Sequence, residues 1–144
     1  MAHFREVIRP PLWLMAFIYF LELSLVLAIW AAFGDTPSQI LLVISTLALP
    51  FIYRAMSHSI HINENELIIG RAHIERKYLG DAELIESTAM RYLRTQGADP
   101  AAYLAISFWL NRGIKIAIND ERDSTPYWLI SSKRGKELIA ALNN

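Results

Sequence analysis

The chain contains no cysteine, and that single absence removes a large part of protein chemistry. Disulfide staples, thiolate zinc sites, iron–sulfur clusters and cysteine nucleophiles are all excluded. Net charge is missing as well, because 14 Lys and Arg balance 14 Asp and Glu. The balance holds regionally, with three of each sign in residues 1–57 and eleven of each in residues 58–144. No bulk field therefore argues for nucleic acid as a partner. Low-complexity runs and internal repeats are absent, and so are Gly-x-Ser-x-Gly, a phosphate loop and a dinucleotide fingerprint. The run Asn119-Asp120-Glu121-Arg122-Asp123 is acidic but lacks the glycine and terminal Glu of a calcium loop. His61 and His73 would have to meet across paired strands, with Glu64 or Glu75 in reach, to mimic a metal site. The expectation is a protein that is not an enzyme and uses no metal or cofactor.

What the chain has in excess is hydrophobicity, unevenly spread. Apolar residues make up 53% of it and mean hydropathy is +0.25, with most of the excess before Met56. From Pro11 to Phe33 run 23 residues whose only ionisable side chain is Glu22. As a helix this stretch covers roughly 34 Å, enough to cross a hydrocarbon core of about 30 Å. Trp13 and Trp30 stand near its ends, where amphipathic rings favour the headgroup level. The turn Gly34-Asp35-Thr36-Pro37-Ser38 then breaks the helix. A second apolar run, Ile40 to Tyr53, becomes long enough to span once its polar flanks extend it to residues 38–56. Pro50 is expected to kink it.

A cleaved signal peptide has a shorter apolar core and a small-residue cleavage site, whereas here a second hydrophobic run follows. A buried soluble hairpin would need more cover than so small a remainder supplies. A re-entrant second segment is the other alternative to two spans. Arg5 and Arg9 precede the first span and Arg54 follows the second, while the connecting turn holds only Asp35. Positive-inside then predicts a multi-pass protein of the plasma membrane with both termini cytoplasmic.

Past Ser57 the pattern changes to period two. His58–Ile62 and Leu67–Gly70 read as a hairpin around Asn63-Glu64-Asn65, and further strands are expected near 71–79 and 82–85. Ser87 to Gln96 reads as a short helix with Ser87 as N-cap and Gly97 at its stop. The clearest alternation is Tyr103–Leu110, and Ile114, Ile116 and Ile118 repeat it after the turn Asn111-Arg112-Gly113. Tyr127–Ser131 is a last strand, and Ser132 is placed to cap a final helix to Leu142. The fold class is thus α+β: a transmembrane hairpin over 1–57, then a small antiparallel β-barrel or sandwich over 58–144, closed by a C-terminal helix. That order resembles bacterial pleckstrin-homology-like domains.

A closer resemblance rests on particular residues. Pro11-Leu12-Trp13, Gly70-Arg71-Ala72, Gly97-Ala98-Asp99-Pro100-Ala101-Ala102-Tyr103-Leu104, Trp109 with Gly113, and above all Ser124-Thr125-Pro126-Tyr127-Trp128-Leu129-Ile130-Ser131 look like the actinobacterial membrane family catalogued as domain of unknown function 3093. The likeness covers nearly the whole chain. It implies a membrane hairpin with an attached domain and supplies no catalytic residue, because the family has no established activity.

Three groups of residues are candidate sites. Glu22 lies midway along the first span, where a carboxylate is costly unless it is protonated, paired or turned toward protein. No basic residue within the hairpin can be its partner, so an ion pair would come from another chain of a homo- or hetero-oligomer. Lys133, Arg134 and Lys136 crowd the start of the terminal helix, the wrong end of its dipole for cations. With Ser131 and Ser132 they form a candidate anion site, suited to a lipid headgroup or an acidic segment of a protein partner. Tyr127 and Trp128 alternate faces of the last strand and are a candidate aromatic binding surface, one ring expected inward and the other outward. The functional expectation is a membrane-tethered binding or scaffold module at the cytoplasmic face. The alternative is a structural subunit of a larger membrane complex, acting through the hairpin.

Overall fold

The computed structural model of the chain describes residues 4–143. They fall into two compact units, residues 9–58 and residues 4–8 together with 59–143. The first unit is a pair of helices, α1 (Leu12–Phe33) and α2 (Asp35–Met56), separated by Gly34 alone. Gly34 takes φ 85°, a conformation open to glycine at no steric cost, so one residue reverses the chain. The break is therefore shorter than the expected Gly34–Ser38 turn. Asp35, Thr36 and Pro37 already form the first turn of α2, where proline forfeits no hydrogen bond because those N–H groups have no intrahelical acceptor. Each helix has 22 residues, about 33 Å of length. α2 also continues through Pro50 to Met56.

Near the turn Trp30 Nε1 donates to Asp35 Oδ1 at 2.7 Å, and further along the Tyr19 hydroxyl lies 3.1 Å from Thr46 Oγ1. Together these bonds fix an antiparallel register. Ser38, Ser45 and Ala48 fall on the less exposed stripe of α2, and small residues there let two backbones approach closely. Apart from buried Leu14 and Met15, many apolar side chains are uncovered, as at Leu12 (82% exposed) and Phe51 (72%). Both helices are long and apolar enough to cross a membrane, and only 11% and 6% of their most apolar windows is buried.

The second unit begins before the helices. Phe4-Arg5-Glu6-Val7-Ile8 forms a strand, β1, whose Phe4, Glu6 and Ile8 are buried while Arg5 and Val7 are exposed. It neighbours β2 (His58–Ile62), followed by β3 (Glu66–Ile69) and β4 (Ala72–Glu75), in a four-stranded sheet of order β1-β2-β3-β4. Residues 4–8, expected as a flank of the hairpin, are thus part of the sheet unit. A single 3-10 turn, Arg76–Tyr78, leads into β5 (Leu79–Ile85). The expected strand over 71–79 is broken there.

The second sheet has the order β5-β7-β8-β6, from β6 (Tyr103–Ala105), β7 (Gly113–Ile118) and β8 (Tyr127–Ser131). β7 pairs antiparallel with both β5 and β8, but β6 pairs parallel with β8. Of the expected antiparallel barrel or sandwich, a closed barrel is not formed: the strands make two sheets, the second of them mixed rather than purely antiparallel. The helix expected over 87–96 appears as α3 (Ser87–Tyr92), widening into one π turn over Leu93–Gly97. The N-cap position is Glu86, without a side-chain cap. The alternation over Tyr103–Leu110 gives only three residues of strand, because β8 offers β6 one short parallel edge and the chain then turns at Ser107.

One core joins both sheets and the terminal helix α4 (Gly135–Asn143): Ile60, Ile62 and Leu67 meet Ile114, Ile116 and Leu138. A smaller cluster of Ile85, Met90, Tyr127 and Leu129 covers the other face of the second sheet beneath α3. β8 contributes to both clusters and is buried along all five residues. Its near-continuous apolar sequence reflects that two-sided burial.

Candidate functional site

The best-defined polar site lies where β8 runs into α4. Gly113 stands opposite Ser131 in the β7–β8 register, so the turn before β7 comes level with the chain leaving β8. There the Ser132 N–H donates to the Arg112 carbonyl at 3.3 Å. A cavity of 230 Å³ opens beside this junction, walled by Arg112, Lys133, Arg134, Lys136, Glu86 and Glu137. Four cations face two carboxylates. One is partly matched, since Arg134 pairs with Glu137. Arg134 is held protonated more firmly than an ordinary arginine, first by that hydrogen bond and, more weakly, by the fields of Glu137 and Glu6.

Sequence reasoning placed five residues here, and the structure divides them. Lys133, Arg134 and Lys136 line the cavity. Ser131 is fully buried and its Oγ accepts the Ser107 N–H at 2.9 Å, so it serves the sheet. Ser132 is 1% exposed and donates from Oγ to Glu6 Oε2 at 2.5 Å. α4 starts at Gly135, later than a cap at Ser132 would give, and Lys133 and Arg134 precede its first turn.

Two members were missed. Arg112 was read only as a turn residue. Glu6 was read as part of the membrane flank, yet its Oε1 also accepts the Lys133 N–H at 2.9 Å. The period-two alternation of Phe4–Ile8 was the signal for Glu6, since it places that side chain on the inner face.

The aromatic candidates require a correction. Tyr127 and Trp128 are both buried, at 9% and 6% exposure, because β8 is covered on both faces. The Tyr127 hydroxyl accepts the Asp99 N–H at 2.8 Å, and Lys115 Nζ lies 4.5 Å from its ring centroid. Trp128 packs on Tyr103, centroids 4.6 Å apart, and lines a second cavity together with Tyr78 and Arg122. In that cavity Arg122 is satisfied by the Tyr78 hydroxyl at 2.5 Å and Asp120 at 3.3 Å. His61 and His73 are each level with Ile68 on β3, so a whole strand separates them. Two strand spacings, about 10 Å, separate their backbones, so they do not face each other across one strand pair. Among the described residues no group of three or more potential ligands could hold a metal.

Glu22 belongs to the helical pair. The two cross-helix hydrogen bonds place it level with Val43 of α2, two residues from buried Ser45. Its Oε2 is enclosed without a hydrogen-bond partner among the described residues.

No curated protein and no solved structure matches the chain. Residues 3–142 do match the family model described as "Protein of unknown function (DUF3093)", a match that includes the Thr125-Pro126-Tyr127-Trp128-Leu129 stretch leading into the doubly buried β8, and the chain belongs to that family.

Proposed function

We propose that the chain is an integral membrane protein in which α1 and α2 span the bilayer and hold the two-sheet unit at the cytoplasmic face as a binding module for an anionic, phosphate-bearing group. The observation that carries the reading is the pairing of β1 with β2. The strand before α1 and the strand after α2 share one sheet, as an even number of crossings requires. Three residues separate β1 from α1 and one separates α2 from β2. A tether that short keeps the domain at the surface from which the helices emerge. Arg5, Arg9 and Arg54 all flank that side, which the positive-inside rule assigns to the cytoplasm of a cell membrane. The cavity ringed by Arg112, Lys133, Arg134 and Lys136 then faces a compartment rich in phosphate esters and anionic headgroups.

Topology reporters fused at Thr36 and at the C-terminus should give opposite answers, the C-terminal fusion cytoplasmic. An external C-terminus would end this reading.

A second reading, a subunit of a larger membrane complex, is favoured by Glu22. An enclosed carboxylate oxygen without a hydrogen-bond partner among the described residues invites one from another chain. Glu22→Leu should leave insertion intact while weakening detergent-stable association. Association that survives the change would remove the support for this reading.

A further inference from the structure

Glu6 is a charged side chain 7% exposed, facing inward between Phe4 and Ile8 on a strand that otherwise supplies core. It is retained there by two directed donors. Ser132 Oγ reaches one carboxylate oxygen at 2.5 Å and the Lys133 N–H the other at 2.9 Å. Arg134 joins the same network, its N–H donating to Ser132 Oγ at 3.1 Å and its guanidinium lying 5.1 Å from the Phe4 ring centroid. A hydroxyl and an amide aimed at two oxygens of one anion is the donor arrangement that also receives two oxygens of a phosphate. Lys133 and Arg134 belong to both places at once, giving backbone to the Glu6 network and side chains to the cavity wall. Lys133, whose amide is bonded to Glu6, also lines the cavity, so a ligand held there by the four cations lies beside a donor that the chain's own carboxylate already occupies, with Ser132 buried next to it.

We propose that Glu6 is a built-in competitor: a phosphate group entering the cavity lined by Arg112, Lys133, Arg134 and Lys136 takes the Ser132 hydroxyl and Lys133 amide from Glu6 and frees β1 from the start of α4. The inference rests on the phosphate reading of that cavity. It also gives the site an output. Glu6 lies two residues from the end of β1, and only Arg9-Pro10-Pro11 separate that end from α1, so ligand occupancy changes how the segment leading into the first helix is held.

The test uses the full chain in phosphatidylcholine nanodiscs. Inorganic phosphate is titrated calorimetrically, and amide hydrogen exchange is followed over residues 4–8. Phosphate should bind the wild type and speed exchange in β1, a readout that needs no variant. Glu6→Gln, which keeps the side chain's size, should bind phosphate about tenfold more tightly, the scale of one charge-assisted hydrogen bond relieved of competition. Combining it with Lys133→Gln, Arg134→Gln and Lys136→Gln should abolish binding. Phosphate binding that leaves β1 exchange unchanged, with wild-type and Glu6→Gln affinities equal, overturns the competitor and leaves the phosphate site standing. Binding absent from the wild type and from Glu6→Gln alike overturns the phosphate reading and the competitor together. A parallel arm replaces free phosphate with phosphatidylglycerol in the disc. Faster β1 exchange there assigns the phosphate to a lipid headgroup, and a response confined to the soluble ion assigns it to a free ligand.

Discussion

At Gly113 the sheet has no room for a side chain. A Cβ there would lie 1.9 Å from the Ile130 carbonyl oxygen, a backbone atom that cannot swing aside. Gly113→Ala should thus force β7 and β8 apart and cost on the order of 3 kcal/mol, read as a lower melting temperature by circular dichroism. In the sequence Gly113 is visible only as the end of a turn. Its steric role comes from β8, 17 residues downstream at Ile130, and no local pattern encodes that approach. Glu137 offers a second test. Arg134 donates to its carboxylate and holds its pKa below the ordinary value. The pair is complete above the usual carboxylate pKa and is lost as pH falls through the lowered one. An NMR titration should show Glu137 protonating later than a free glutamate on acidification, and Arg134→Gln should move it back upward.

At the scale of the element, α4 is secured near both ends by side chains from elsewhere in the chain. Glu6 supplies negative charge just before its N-terminus, against the unfavourable cluster of Lys133, Arg134 and Lys136. At the other end Arg76 Nη2 donates to the carbonyls of Ala141 and Leu142, at 3.2 and 2.8 Å. Each contact opposes the helix dipole with the favourable sign. Arg76→Ala should therefore destabilise the unit by about 1 kcal/mol and raise amide exchange selectively in the last turn of α4. The existence of α4 was legible in the stripe of Leu138, Ile139 and Leu142. Its caps were not, because both capping side chains, the acceptor Glu6 and the donor Arg76, come from residues distant in sequence. The same distinction separates the strands. β7 and β8 followed from alternation and from a turn close at hand. The mixed sheet did not, because the parallel partner of β6 lies beyond an intervening antiparallel strand.

Taken whole, the chain builds its sheet unit from two separated pieces. A fragment of residues 58–144 lacks β1, and with it Phe4 and Ile8, each a core side chain whose burial contributes roughly 1.5–3 kcal/mol. It also leaves Ser132 and the Lys133 amide without Glu6. Such a fragment should aggregate. A chain in which residues 1–8 are joined to 59–144 through a Gly/Ser linker, omitting both helices, should instead run as a soluble folded species on size exclusion. The helical pair itself was legible, since length and apolarity are local quantities. The membership of residues 4–8 was hidden because five alternating residues beside two prolines also suit a flank.

That nested order carries a consequence for synthesis at the ribosome. On the proposed topology β1 emerges well before its partner, and the 49 residues between Ile8 and His58 must be translated and placed first. At about 5–20 residues per second that is a wait of several seconds with an unpaired edge. Completion of the first sheet is then contingent on the outcome of translocation. A hairpin inserted with its loop across the bilayer returns β2 to the compartment where β1 is waiting, whereas a single crossing strands the two on opposite sides. On that topology the first sheet closes only after a two-crossing insertion, and a chain that fails it leaves β2 without the cover of β1.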